Sequence, residues 1–243
     1  MLMKSIGTAA TLAILAMGSQ AMATTLTIDS FSSAQWVQDG PTTDNPNASA
    51  VADGSVLGGY RSLSVTNTKA DGDNTAATEM RVTGGNLKFS NVAGARGTGS
   101  LTYDGDSDPT SVNTTGLGGA NLVIGLNPYF LFTEAATVKF DNFAFFKVTA
   151  WDMTGKIATY EEELTPAYDP KLYFSQFTAD AGFSFANLGA LQFMISSDDT
   201  ADSVDGAISA IEVYATPVPV PAAGLLLLGG MGGLTFMARR KKA

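Results

Sequence analysis

Carboxylates and phenols are the groups in this sequence that could do chemistry, and three carboxylate clusters have suggestive spacings. Asp104-Gly105-Asp106-Ser107-Asp108 places an acid at every second residue, as calcium loops do. The full calcium-loop pattern then needs Gly at its sixth position and Glu at its twelfth. Pro109 and Thr115 stand there instead, so a solvated turn after a strand is the expected role. Asp198, Asp199, Asp202 and Asp205 crowd a second segment. Such a run either gathers a hard cation or keeps an acidic surface soluble. In Glu161-Glu162-Glu163, a strand would put the first and third carboxylates on one face, roughly 6–7 Å apart at the backbone. A glycosidase could use such a pair, but an edge strand shielded by charge needs the same residues, and no other feature points to a cleft. Aromatic rings complement the CH-rich face of a sugar. Trp36, Tyr60, Trp151, Tyr160 and Tyr173 are general candidates, and Tyr129 and Tyr168, each near a proline in an expected loop, are the better surface candidates.

Other chemistry is excluded by composition. The chain has no Cys and no His, which removes disulfides, thiolate metal sites, Ser-His-Asp triads and His general bases. All 23 acidic residues lie between Asp29 and Glu212, against nine Lys and Arg in the same span, a formal charge of −14. A body this acidic repels phosphate backbones, so nucleic acid is not an expected partner.

The two ends differ from the body. Met1 to Ala23 has Lys4, an apolar stretch from Ile6 to Met17 and the small-x-small sequence Ala21-Met22-Ala23, the marks of a cleavable secretory signal. At the other end come Val218-Pro219-Val220-Pro221-Ala222, an apolar run to Ala238, and the basic cluster Arg239-Arg240-Lys241-Lys242. The prolines keep the motif extended. As a helix, residues 222–238 would span roughly 25 Å, just short of a hydrocarbon core of ~30 Å. The basic cluster would hold the C-terminus in the cytoplasm. The expected division is therefore 1–23 signal, 24–216 body and 217–243 C-terminal signal with a transmembrane helix.

Between these ends, short alternating segments are separated by Gly, Pro, Asn and Asp. Residues 25–29, 33–38, 55–66, 78–83, 86–90, 99–103, 121–126, 137–140, 143–153, 156–164, 171–177, 190–196 and 207–214 read as strands. Gly84-Gly85 marks a hairpin. Arg61 shares the parity of Leu63 and Val65 and is expected at a solvated strand end. Residues 39–54 and 106–119 read as loops, and 190–196 and 207–214 as a closing pair. No amphipathic helix stands out. The pattern predicts an all-β, two-sheet antiparallel sandwich.

The C-terminal segment resembles the PEP-CTERM sorting signals, most closely the VPLPA type. Val218-Pro219-Val220-Pro221-Ala222-Ala223 stands where VPLPAA would, with Val220 replacing the usual Leu, and is followed by the Leu- and Gly-rich run and the basic cluster. This resemblance implies an exosortase-type membrane protease as partner, cutting near Val218–Pro221 after transient residence in the inner membrane. The body is similar to jelly-roll, galactose-binding-like sandwiches through Ile28-Asp29-Ser30-Phe31, Gly58-Gly59-Tyr60-Arg61, Leu101-Thr102-Tyr103-Asp104-Gly105 and Asp205-Gly206-Ala207-Ile208. That resemblance implies neighbouring first and last strands with a structural calcium near them, for which Asp29 and Asp205 are the candidate ligands.

The expected function is that of a non-enzymatic exported protein of the cell surface or extracellular polysaccharide matrix, with glycan as the candidate ligand and no catalytic residues assigned. Two alternatives stay open. One is a polysaccharide-active enzyme using Asp and Glu, and the other is a purely structural adhesion or biofilm protein.

Overall fold

The computed structural model describes residues 24–40, 45–69, 77–92, 94–134, 144–164, 170–197 and 204–217. All of them belong to one compact unit, Ala23–Pro217. The predicted transmembrane helix, the sorting motif and the basic cluster lie outside the described residues, as do the signal segment and residues 137–140. Among the described residues no helix is long and apolar enough to cross a membrane.

The architecture is all-β. Among the described residues, fourteen strands follow in chain order: β1 (Thr24–Asp29), β2 (Gln35–Asp39), β3 (Ala48–Ala52), β4 (Tyr60–Lys69), β5 (Thr78–Thr83), β6 (Asn86–Asn91), β7 (Arg96–Tyr103), β8 (Leu126–Glu134), β9 (Ala144–Asp152), β10 (Ile157–Leu164), β11 (Lys171–Tyr173), β12 (Thr178–Ala179), β13 (Leu188–Ser196) and β14 (Asp205–Thr216). They form two antiparallel sheets. The first runs β11-β8-β14-β6-β5-β2, with β1 added alongside β14, and the second runs β12-β10-β9-β13-β7-β4-β3.

Period-two patterning places the core between the sheets. Phe130, Ile211 and Val213 of the first sheet face Leu63, Leu101, Val148 and Leu191 of the second, all fully or almost fully buried. Phe193 meets Phe130 and Phe132 edge to face, each at a centroid distance of 5.6 Å, an arrangement the ring quadrupoles favour. The β5–β6 hairpin forms as expected. Thr83 pairs with Asn86, and Gly84 and Gly85 take φ of 59° and 74°. Two consecutive left-handed residues make the two-residue turn whose twist matches the flanking strands.

Several expectations need correction. Residues 39–54 contain β3, whose small residues Ala48-Ser49-Ala50-Val51-Ala52 carry little apolar contrast. Residues 121–126 are not a strand buried on both faces. Leu122 is buried, but Val123 and Leu126 are exposed, and the strand starts only at Leu126. Pro128 masks that strand in the sequence, because proline removes a ladder donor. The segments 190–196 and 207–214 do not pair. They enter β13 and β14, which belong to opposite sheets.

The largest correction concerns Arg61, which is fully buried. Its Nη1 donates to both oxygens of Asp29, at 3.2 and 3.1 Å. Its Nε donates to Gln35 Oε1 at 2.8 Å, and its other terminal nitrogen donates to the Ser33 carbonyl. Tyr103 Oη donates to Asp29 Oδ2 at 2.8 Å, and the Phe31 amide donates to Oδ1 at 2.6 Å. Arg61 keeps the inward parity of Leu63 and Val65 because a carboxylate on the other sheet waits for it. Burial first, and then the neighbouring Asp29 charge, push the Tyr103 phenol well above its usual range. The network ties β1 to β4 and β7 across the core.

Candidate functional site

The outer face of the first sheet carries the clearest concentration of functional side chains. Alternation on four neighbouring strands creates it. β8 buries Phe130 and Phe132 and turns Tyr129 and Leu131 outward. β14 buries Ile211, Val213 and Ala215 and turns out Glu212 and Tyr214, while β11 buries Leu172 and turns out Lys171 and Tyr173. β1 buries Ile28 and exposes Thr25 and Thr27.

Strand register then aligns these residues in rows. Tyr173 pairs with Tyr129, Tyr129 with Tyr214, and Tyr214 with Thr25. The next row on the same face is Lys171, Leu131, Glu212 and Thr27. Tyr129 sits at the centre, its ring 5.1 Å from that of Tyr173 and 5.8 Å from that of Tyr214, nearly parallel to the latter at 16°. Lys171 Nζ lies 5.9 Å from the centroid of the Tyr129 ring, and Tyr214 Oη donates to Glu212 Oε2 at 3.3 Å. Tyr173 is 37% exposed. The strip joins apolar rings to a cation, a carboxylate and hydroxyls, which suits a ligand that is itself half apolar and half hydrogen-bonding.

Of the aromatic candidates, Tyr129 belongs to this strip, on a strand rather than the expected loop. Tyr168 lies outside the described residues. In the sequence Tyr173 is only one of several candidates, and Tyr214 is simply part of a strand. Their meeting depends on register between strands distant in sequence, which local pattern does not reveal. Trp36 is also exposed, at 39%, with the Arg81 guanidinium 4.6 Å from its ring centroid and its indole N–H donating to Glu79 at 3.2 Å.

The proposed calcium ligands are not brought together. Asp29 pairs with Ile211 on β14, whereas Asp205 begins the same strand opposite Ser90. Six residues of strand separate the two positions, about 20 Å. Asp29 faces the core, where four hydrogen bonds from Arg61, Tyr103 and the Phe31 amide surround its carboxylate. Asp205 stands opposite Ser90 in register, with its Oδ1 buried. Among the described residues no group of three or more acidic side chains is placed to hold a metal ion. Asp198, Asp199 and Asp202 lie outside the described residues.

The Asp104–Asp108 segment serves its own loop. Asp104 accepts the amides of Asp106 and Asn113 at 3.1 and 2.8 Å, and Asp106 accepts the amide of Asp108 at 3.2 Å. Asp108 accepts the Thr110 hydroxyl and amide and the Ser111 hydroxyl, bonds that hold its carboxyl below the usual range. Gly105 has φ of 68°, and a Cβ there would meet the Gly116 carbonyl at 2.4 Å, so the loop's two arms close through glycine.

Glu161 and Glu163 share the outer face of β10, while Glu162 has the inward parity of Ala158 and Tyr160. Glu161 pairs with Lys147 at 2.7 Å, and both are substantially exposed. This is a surface ion pair rather than a paired-acid cleft.

No family model matches the chain. No curated protein matches it either. Among solved structures, the chain is similar to PfGH50B at 9% identity and a TM-score of 0.37, over 66% of this chain and 23% of that one. It is similar to a family 11 carbohydrate-binding module from Clostridium thermocellum, in complex with a β-1,3-1,4-mixed-linked tetrasaccharide, at 9% identity and a TM-score of 0.31, over 75% of this chain and 96% of that one. A third similar structure is described as showing the promiscuous specificity of carbohydrate-binding modules from the β-sandwich superfamily. Its identity is 10% and its TM-score 0.29, over 82% of this chain and 58% of that one. The match spans less than a quarter of the PfGH50B chain. Likeness at this level carries neither ligand nor activity across. The strands and their pairing define the class directly: this is an all-β, two-sheet antiparallel sandwich.

Proposed function

We propose that the body is a non-enzymatic glycan-binding domain whose contact surface is the Tyr173–Tyr129–Tyr214 strip. The observation that carries this reading is the register that sets three half-exposed tyrosines in one row, beside Lys171, Glu212, Thr25 and Thr27. Rings contact the apolar CH surface of a sugar, and the flanking groups take its hydroxyls. The test is affinity electrophoresis of residues 24–217 in gels containing neutral and acidic polysaccharides. Retardation by at least one polysaccharide, lost in a Tyr129→Ala/Tyr173→Ala double variant that still melts cooperatively, is the expected result. Equal retardation of the variant refutes the strip as the contact surface.

The same proposal places the protein outside the cytoplasm. Support comes from the signal-like Met1–Ala23, the Val218–Ala222 motif and the Arg239–Lys242 cluster. On this reading an exosortase-type protease removes the tail and delivers the body to the cell surface or matrix. Intact-mass measurement of the secreted protein decides it. A C-terminus between Pro217 and Ala223 is expected, and a mass retaining Ala243 refutes processing.

A further inference from the structure

A second group of exposed side chains lies on the first sheet's outer face, away from the tyrosine strip. Trp36 on β2 pairs with Arg81 on β5, and Arg81 pairs with Lys88 on β6. Val37, Met80, Val82, Leu87 and Phe89 turn into the core. Alternation therefore turns Trp36, Arg81 and Lys88 outward together, and all three are exposed. Thr83 and Asn86 form a neighbouring pair on the same face, beside the hairpin turn. Ala207 faces Lys88, and seven residues of β14 separate it from Tyr214, about 23 Å of strand. Directly opposed residues on neighbouring strands have Cβ atoms roughly 4.5–5.5 Å apart, and like charges at that separation repel. Among the described residues neither Arg81 nor Lys88 makes an ion pair, although the body holds 23 acids against nine Lys and Arg. Arg61 and Lys147, by contrast, each have a carboxylate. The Arg81 guanidinium lies 4.6 Å from the Trp36 ring centroid, and the indole N–H is spent on Glu79. Stacking of this kind orients the guanidinium and leaves its N–H groups for an acceptor.

We infer that Arg81 and Lys88 together bind the carboxylate of a uronic acid in a sparsely charged polysaccharide, with Trp36 against the sugar ring. This extends the proposed glycan binding to a second surface that is tested separately. One carboxylate accepts from the guanidinium fork and from the ammonium at once, so the repulsion between the cations becomes a shared attraction. Trp36 offers the CH face of a sugar an apolar surface, which a bare inorganic anion cannot use. Thr83 and Asn86 flank the cations with groups that can bond sugar hydroxyls. Charge density selects the polymer. A body at −14 opposes a chain charged at every unit, as it opposes nucleic acid. Salt limits that opposition to about 8 Å at physiological ionic strength, so an isolated carboxylate between the two cations feels them first. Glu79, two residues along β5 on the same face, repels a second carboxylate beside the first.

The experiment immobilises the full chain on a biosensor in mild detergent. It compares gellan, a polysaccharide with a single uronate per repeat, with the same gellan after its carboxyls are reduced to alcohols. Native gellan is expected to bind about tenfold more tightly than reduced gellan. Arg81→Gln and Lys88→Gln, both at exposed positions, should each remove most of that preference. Lys156→Gln takes one charge from the second sheet's β9–β10 turn and should keep it. Tyr129→Ala/Tyr173→Ala should keep it as well, so the ratio of native to reduced binding reports on this site, and neutral-glycan binding reports on the strip. Equal binding of the two gellans, or none, overturns the inference. So does a preference that survives Arg81→Gln and Lys88→Gln together, or one that Lys156→Gln or the tyrosine variant lowers as far as Lys88→Gln does. Tighter binding of dextran sulfate than of native gellan also overturns it, because the response would then follow charge density alone.

Discussion

The two outer faces of the sandwich are built on the same pleat but leave different groups to solvent. On the second sheet, short side chains bond to one another across the strands. Ser64 and Ser100 lie 2.7 Å apart, Gln192 donates to Thr102 at 3.0 Å, and Thr98 donates to Ser196 at 3.1 Å. Many of that face's hydroxyls are thus spent on one another, although the buried Ser62 Oγ has no partner among the described residues. On the first sheet, Tyr173, Tyr129 and Tyr214 meet by ring contact, and Tyr214 Oη donates to Glu212. The difference teaches that one pleat can present either a hydrogen-bonded ladder of short side chains or a row of stacked rings.

The largest expected effect is one that should strike both faces together. Arg61→Leu strands the Asp29 carboxylate in the core and should cost about 3–5 kcal/mol in denaturant unfolding. A loss below about 1 kcal/mol would show that the two sheets do not depend on this tie.

Tyr103→Phe is a milder version. It removes one hydrogen bond to a buried carboxylate and should cost about 1.5–3 kcal/mol. It also carries a pH signature. The folded phenol titrates above its unfolded value of about 10, so its contribution is complete below that pH. As pH rises further the unfolded chain releases its proton first, and stability falls until the folded pKa is passed. The stability gap between wild type and Tyr103→Phe should therefore narrow above about pH 10. A gap constant from pH 8 to 11 would contradict the shift.

The comparison itself is sharpened by paired variants. Tyr129→Ala/Tyr173→Ala should weaken polysaccharide binding about tenfold, equivalent to ~1.4 kcal/mol. The matched change on the other face, Ser100→Ala/Thr102→Ala, should leave affinity within about twofold. Equal losses from both pairs would erase the distinction between the faces. The smallest effect belongs to the second sheet's ladder, where Ser64→Ala should lower stability by about 0.2–1 kcal/mol without touching binding. A Ser64→Ala variant with weakened binding would place a contact on that face.

The fold class was legible because alternation and turn residues are local signals. The β5–β6 hairpin announces itself through Gly84-Gly85, and β13 through the inward residues Leu191, Phe193 and Ile195. β3 and β8 are hidden in the sequence for equally local reasons, small residues in one and Pro128 in the other. Arg61 looks solvated in the sequence because its partner lies 32 residues away on another strand. A charged residue at an inward position is explicable only once that partner is known. Of the tyrosine strip, the sequence offers Tyr129 as a preferred candidate and Tyr173 as a general one, and does not offer Tyr214. Tyr173 and Tyr214 are separated from Tyr129 by chain but not by register, and register across a sheet is a tertiary fact.

One strand sets a timetable for the whole molecule. β14, the last strand of the described body, occupies the middle of its sheet and pairs with β1, β6 and β8. A ribosome delivers residues 205–216 after every other described strand. Until they arrive, β1 lacks its sheet neighbour, and β8 has no link to the β6-β5-β2 group. Folding of this sheet is therefore an event of completed delivery, with long-range pairing that makes it slow relative to local hairpins. Any chain interrupted before Asp205 would present the strand edges that β14 was meant to cover.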